Sequence, residues 1–249
     1  MPVYLDWTLL LLVFYFAFRQ GGNLIDAIIS AVVSIVIIFT SVLLHELGHT
    51  AAALSFGCRV RDITLTFIGG RATLLDMPRE PWKEFVVAVA GPLVSLALWL
   101  IPLSFLWTGT VKIDPLHPEL FSVLFFVFLP SVNRILFLFN LIPAFPMDGG
   151  RIFRSVLSGF IGKLRASFAA FRVGQILAAC MGIWGLFDHF DLTLMIIAYI
   201  IYTSAKAEYQ ILLHESGVSF TGKPPDDAAV ISPPPYGGRD EVTDIFKER

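Results

Sequence analysis

Apolar residues in this chain come in long, nearly unbroken runs, separated by short polar connections. About 20 consecutive apolar residues cross a bilayer as a helix. The pattern predicts six spans: Trp7–Phe18, 24–56, Phe85–Trp107, Leu120–Ile142, Phe168–Phe187 and Leu192–Leu213. The first is short and is completed by borrowing from the extended lead-in Pro2–Asp6, or crosses a thinned region. The second exceeds the span length and is expected to stop at Gly57, in the place of a C-cap glycine. Residues 60–75 change period. Ile63, Leu65 and Phe67 alternate with Thr64 and Thr66, and Gly69-Gly70 reads as the turn of a β-hairpin. Such a hairpin either caps the helices at the interface or offers a sheet edge to an unwound substrate strand. Gly91-Pro92 predicts a kink or a close helix crossing. Pro143 to Gly150 ends the fourth span, and a non-helical backbone at that depth must lie against protein or a cavity. Residues 151–165 read as an amphipathic interfacial helix. The expected fold is an α-helical polytopic membrane protein of six transmembrane helices with a small membrane-associated β-hairpin. Residues 1–213 form the core, and the polar, Pro- and Gly-rich residues 214–249 form a flexible cytoplasmic tail.

Composition agrees with that class. The 249 residues are 56% hydrophobic and 15% charged, against about 45–50% and 25% in soluble domains. Net charge is only −2, but its distribution orients the chain. The connections after the second and fourth spans hold nine Lys and Arg residues (Arg59, Arg61, Arg71, Arg79, Lys83, Arg151, Arg154, Lys163, Arg165), and the opposite-side loops hold two, Arg19 and Lys112. By the positive-inside rule both chain ends face the cytoplasm of a multi-pass cell-membrane protein. Cys58 and Cys180 make neither a disulfide framework nor a metal-ligand spacing. The N-terminus lacks the basic region and cleavage site of a signal peptide and is expected to stay in the fold. No nucleic-acid partner is expected, and Pro233–Tyr236 is a weak WW-ligand pattern.

One run carries chemistry. After Asp26, the ionisable groups of residues 24–56 are His45, Glu46 and His49. A charged group at the bilayer centre costs about 2.5–3.5 kcal/mol on insertion scales, so such residues mark functional sites. Helical residues i and i+4 share a face, so His45 and His49 can reach one metal. Glu46, beside them, is placed to activate a zinc-bound water, which is the zinc-protease reading of His-Glu-x-x-His. Gly48 is expected to leave room for a substrate backbone. A catalytic zinc takes three protein ligands. The acids on the same side are Asp76, Glu80, Glu84 and Asp148. Asp148 is favoured, because it follows directly on a span containing Asn133, Arg134 and Asn140. The competing reading is an ordinary helix-cap aspartate before Gly149-Gly150. His117 and His189 lie on the other side and are expected to be solvated.

With these residues the chain resembles the site-2 protease family of intramembrane zinc metalloproteases. The resemblance rests on His45-Glu46-Leu47-Gly48-His49, Gly69-Gly70, Ala90-Gly91-Pro92 and the stretch from Asn140 through Pro146 to Asp148-Gly149. It implies zinc held by His45, His49 and Asp148, Glu46 as catalytic acid/base, and Asn140 and Pro146 engaging substrate. It also implies the substrate class: a membrane-anchored protein cut within or beside a transmembrane helix in the lipid bilayer. Many members carry a PDZ domain between the third and fourth spans, and others end in paired CBS domains. The loop at 108–118 and the tail are too short for these, so a member without either is expected. Two other readings compete: a zinc transporter and a catalytically inactive membrane scaffold. A transporter needs His or acidic residues along a path from the other face, which spans one, three and five scarcely offer. A scaffold has no use for a full set of catalytic residue types.

Overall fold

The computed structural model describes residues 3–5, 24–66, 69–74, 80–113, 120–187 and 191–215. The expected first span at 7–18, together with Asp76, His117, His189 and residues 216–249 of the tail, lies outside the described residues. Two compact units follow one another, Met1–Ile142 and Pro143–Arg249.

The first unit is built on α1 (Leu24–Ser55), a helix of 32 residues. At 1.5 Å per residue it is about 48 Å long, more than a bilayer core needs. It ends as expected. The Cys58 amide donates to the Ala53 carbonyl at 3.1 Å and the Gly57 amide to Leu54 at 2.9 Å, with Gly57 at φ +79°. This is a Schellman C-cap, and Cys58 completes it by packing on Ala53 and Val87.

Three strands form one sheet in the order β1 (Val3–Leu5), β2 (Val60–Thr66), β3 (Gly69–Leu74). β2 and β3 are antiparallel, with an irregularity between Val60 and Asp62. Gly69 and Gly70 are the first residues of β3, paired with Thr66 and Leu65, rather than the turn itself. The lead-in is more than an extended segment: Val3, Tyr4 and Leu5 pair in parallel with Ile63, Thr64 and Leu65. A parallel partner is supplied by distant sequence, so local reading finds the extension and misses the pairing.

α2 (Pro81–Trp107) begins four residues before the expected span, with Pro81 in its first turn and Glu84 buried. Proline suits that position because its missing N–H would have no intrahelical partner there. The fourth run is not one regular helix. It passes from α3 (Leu120–Val123) through a π-helical turn (Leu124–Phe128) into α4 (Leu129–Asn140). Asn133 is fully buried, and its amide donates to Ser41 Oγ and to the Leu129 carbonyl, both at 2.9 Å. This bond ties α4 to α1. Arg134 is exposed on the next position of α4.

The second unit contains α5 (Asp148–Ile161), α6 (Lys163–Phe187) and α7 (Leu192–Glu215). The expected amphipathic helix therefore starts earlier, at Asp148, and ends at Gly162, whose φ of +82° breaks it from α6. Asp191 caps α7, its Oδ1 accepting from the Thr193 and Leu194 amides at 3.0 and 3.1 Å. Phe145, Ala170, Phe171, Ala205, Tyr209 and Leu213 form the core of this unit, with Phe171 and Tyr209 stacked at 4.9 Å.

Among the described residues, four helical segments are long and apolar enough to cross a membrane: Ala31–Ser55, Pro81–Trp107, Phe121–Asn140 and Lys163–Phe187. With Lys206 and Glu208 in its second half, α7 is not among them. The chain is a mostly helical membrane protein.

Gly57→Ala tests the cap that ends α1. A Cβ there meets no atom within 4 Å, so the change acts through backbone strain alone. It is expected to cost about 1 kcal/mol, which lowers the unfolding temperature in detergent by about 2–4 °C.

Candidate metal centre

His45 and His49 project from one face of α1, as their spacing requires. Their rings meet edge to face, with centroids 4.8 Å apart, and their Nε2 atoms are 3.2 Å apart. Both other ring nitrogens are anchored on α2. His49 Nδ1 donates to the Val87 carbonyl at 2.7 Å. His45 Nδ1 is 2.9 Å from Ser95 Oγ, in a buried contact. A carbonyl only accepts, so His49 carries its proton on Nδ1 and presents a lone pair at Nε2. Metal-binding histidines are commonly fixed in this way, through the nitrogen that does not face the metal.

The crossing of α1 and α2 is tight enough for these bonds because two glycines lie in it. A Cβ on Gly48 would sit 2.8 Å from the Ala90 carbonyl oxygen and from Val94 Cγ2. A Cβ on Gly91 would collide with Nε2, Cε1 and Cδ2 of His49. Gly48 thus makes room for α2, a packing role in place of the substrate clearance expected from sequence. Pro92 has no N–H to offer the Ala88 carbonyl, so the regular ladder of α2 is interrupted beside the turn that supplies the Val87 carbonyl.

The donor pair fits zinc. Two Zn–N bonds of about 2.0–2.1 Å at a tetrahedral angle hold their nitrogens about 3.3–3.4 Å apart, close to the spacing here. Glu46 follows His45 on α1 and is 9% exposed. Its carboxylate is thus largely withdrawn from bulk solvent, as is the His45 imidazole, while His49 is half-buried.

Asp148 is the first residue of α5 in the second unit, and half-buried. The partial positive charge of a helix N-terminus suits a carboxylate. The segment before it is sharply folded. A Cβ on Gly150 would lie 2.5 Å from the Ala144 carbonyl carbon, so only glycine lets residues 144–145 turn back against α5. The Met147 amide donates to the Ala144 carbonyl at 3.0 Å, and Ala144, Phe145 and Met147 are buried. Arg154, 2% exposed, lays its guanidinium 5.1 Å from the centre of the Phe145 ring, a cation–π contact. Arg151 pairs with Glu208 at 3.5 Å.

The remaining candidates are scattered. Asn140 is the last residue of α4 and half-buried, and Pro146 is exposed. Glu80 is exposed and Glu84 buried. Sequence reading missed Ser95 and the Val87 carbonyl. Position 95 was reachable in part: residues 87, 91 and 95 repeat at helical spacing from the Gly91-Pro92 pair and so share its face.

A helix of span length that holds an anchored pair of imidazoles, one buried and one half-buried, beside a glutamate defines a class of membrane protein with the donor pair of a metallopeptidase. Residues 33–112 and 108–181 match the profile of peptidase family M50. The chain belongs to that family. It is 34% identical over 192 residues to a zinc metalloprotease of Methanocaldococcus jannaschii, covering 77% of this chain and 54% of that one. It is 28% identical over 151 residues to stage IV sporulation protein FB of Bacillus subtilis, covering 59% and 48%. The chain thus spans about half the length of these curated relatives. Among solved structures it resembles the site-2 protease from Methanocaldococcus jannaschii, with a TM-score of 0.62 and 31% identity, covering 84% of this chain and 90% of that one.

Gly91→Ala tests the crossing. The new methyl must push the His49 ring off the Val87 carbonyl, and disturbing such an anchor costs about 10–100-fold in metal affinity. Zinc titration of the purified variant against a competing chelator is expected to show a loss of at least that size.

Proposed function

We propose that this protein is a zinc-dependent intramembrane endopeptidase that cuts a transmembrane segment of a membrane-anchored protein. The observation that carries the reading is the His45–His49 pair: two Nε2 atoms 3.2 Å apart on a helix of span length, each ring anchored through Nδ1. Family membership and the names of the relatives support peptide hydrolysis as the use of that pair.

His45, His49 and Asp148 supply two imidazole nitrogens and a carboxylate oxygen, the donor types a catalytic zinc takes while leaving a fourth position open. Zinc held by these residues would supply a Lewis acid that lowers the pKa of water toward about 7 and polarises a carbonyl. Glu46 takes the proton from the attacking water and delivers it to the leaving amine. The burial of Glu46 and His45 keeps this exchange away from bulk solvent. A helical substrate hides its peptide groups in its own hydrogen bonds, so the scissile stretch must be extended before attack. Asn140 holds it by bonding to its backbone, and Pro146 lines its path.

In this reading six spans cross the cell membrane, with the segment at 7–18 as the first and α7 as the last. Residues 1–213 are the protease core and 214–249 a cytoplasmic tail. Both termini are cytoplasmic. Reporter fusions at either end are expected to show cytoplasmic activity, and an external C-terminus would reverse the assignment.

Glu46→Gln should retain zinc and lose cleavage by at least 100-fold, the lower end of a general acid/base contribution. Comparing N-terminally labelled membrane proteomes from cells with wild-type and variant protein should reveal a single-span protein that accumulates uncut, with the missing cut in or beside its span. Undiminished cutting in the variant would remove Glu46 from the mechanism. His49→Ala should lose stoichiometric zinc by elemental analysis.

A further inference from the structure

We propose that Arg134 selects the substrate: the membrane helix to be cut docks on the exposed face of α4 and pairs an Asp or Glu within its span with the Arg134 guanidinium. The inference rests on the intramembrane endopeptidase reading above.

Arg134 is the one ionisable residue from Leu120 to Met147. It lies within Phe121–Asn140, a segment long and apolar enough to cross a membrane. The roll of α4 about its own axis is set on the opposite side. Asn133 is fully buried and bonded to Ser41 of α1. Phe137, one turn further on, has its ring centre 6.1 Å from that of Trp99 on α2. Successive helical residues are about 100° apart, so the contacts that bury Asn133 turn Arg134 outward. It is exposed there beside Ile135, Leu138 and Leu141. Residues 134, 138 and 141 follow one another at helical spacing, so they share a face. Among the described residues the guanidinium makes no ion pair or hydrogen bond.

The depth of this charge selects its partner. Arg134 is six residues short of Asn140, about 9 Å along the axis at 1.5 Å per residue. The 20 residues of the segment match a hydrocarbon core of about 30 Å, so Arg134 starts well inside it. A helical Cα–Cβ bond tilts toward the N-terminus, here away from the nearer headgroups. A lipid phosphate lies outside the hydrocarbon, whereas a second helix can carry a carboxylate to this depth. Guanidinium and carboxylate form a bidentate, charge-assisted pair, and each is costly alone among acyl chains. The substrate is the helix that fits. α4 ends at Asn140, proposed above to hold the extended stretch. About 9 Å of chain is three residues when extended and six when helical. The acidic residue is therefore expected about three to six residues from the cut.

The test places a photo-crosslinking amino acid at position 138 of the full chain carrying Glu46→Gln, in cells that make the protein, and identifies what it captures. The expected capture is a single-span protein with an Asp or Glu in its span, which the wild-type chain cuts about three to six residues from that acid. Arg134→Leu is expected to lower the capture at least about 10-fold, and Arg134→Lys by less, with zinc content unchanged in both. Arg134→Glu, combined with Arg in place of the captured acid, is expected to restore it. Capture that Arg134→Leu leaves intact, or a captured span without an acid, overturns the proposal. So does labelling of lipid alone, of a second copy of this chain, or of nothing. The two readings fail separately. Charge-dependent capture of a helix that the wild-type chain never cuts upholds the docking face and removes the peptidase reading. Cutting that is indifferent to Arg134→Leu keeps the peptidase and removes the docking face.

Discussion

Ionisable side chains on a helix of span length need partners from the protein, and the close crossing of α1 and α2 supplies them. Charged groups at bilayer depth are costly, and an unsatisfied buried polar group is costly at any depth. After Asp26, α1 carries His45, Glu46 and His49 in a run of otherwise apolar and small residues. α2 meets it with a carbonyl at Val87 and a hydroxyl at Ser95. Gly48 on one helix and Gly91 on the other remove the side chains that would hold them apart. The same crossing that packs the fold therefore orients the imidazoles. Small residues at helix contacts are the usual means of close packing in membranes, and here the contact also fixes the direction of lone pairs.

The second unit follows the same logic with different parts. Asp148 opens α5, and the chain before it folds back on Gly150. Phe145 is buried among residues of α6 and α7 and covered by the Arg154 guanidinium. A short irregular stretch is thus pinned at both ends: by a glycine without which it could not turn, and by an aromatic ring sunk in the core. Rigid support of this kind gives a carboxylate on a loop–helix junction a definite position.

Much of this was legible in the sequence, for reasons that differ by element. The second span followed from the length of its apolar run, its stop from glycine's place at a helix C-cap, and the His-x-x-x-His face from helix period, because i and i+4 share a face whatever surrounds them. The crossing at Gly91-Pro92 was legible as a crossing, but not what it was for. The Val87 carbonyl belongs to the backbone and leaves no mark in the residue code. Ser95 is a small polar residue in an apolar run, and its use depends on a partner fifty positions away. β1 read as merely extended, since its partner strand lies far along the chain. The π-helical turn at Leu124–Phe128 falls in a phenylalanine-rich run whose hydropathy is that of any helix, so nothing local announced it. Asp148 was read as part of a non-helical stretch, with a helix-cap aspartate as the competing reading, and it is the first residue of α5.

Zinc K-edge X-ray absorption on the purified full chain tests the central claim most directly, because it reads the ligands themselves. The account predicts two imidazole ligands with Zn–N distances of about 2.0–2.1 Å, the rest of a four-coordinate shell filled by oxygen. Sulfur at about 2.3 Å, or the loss of paired imidazole scattering, would contradict it and place the metal away from His45 and His49.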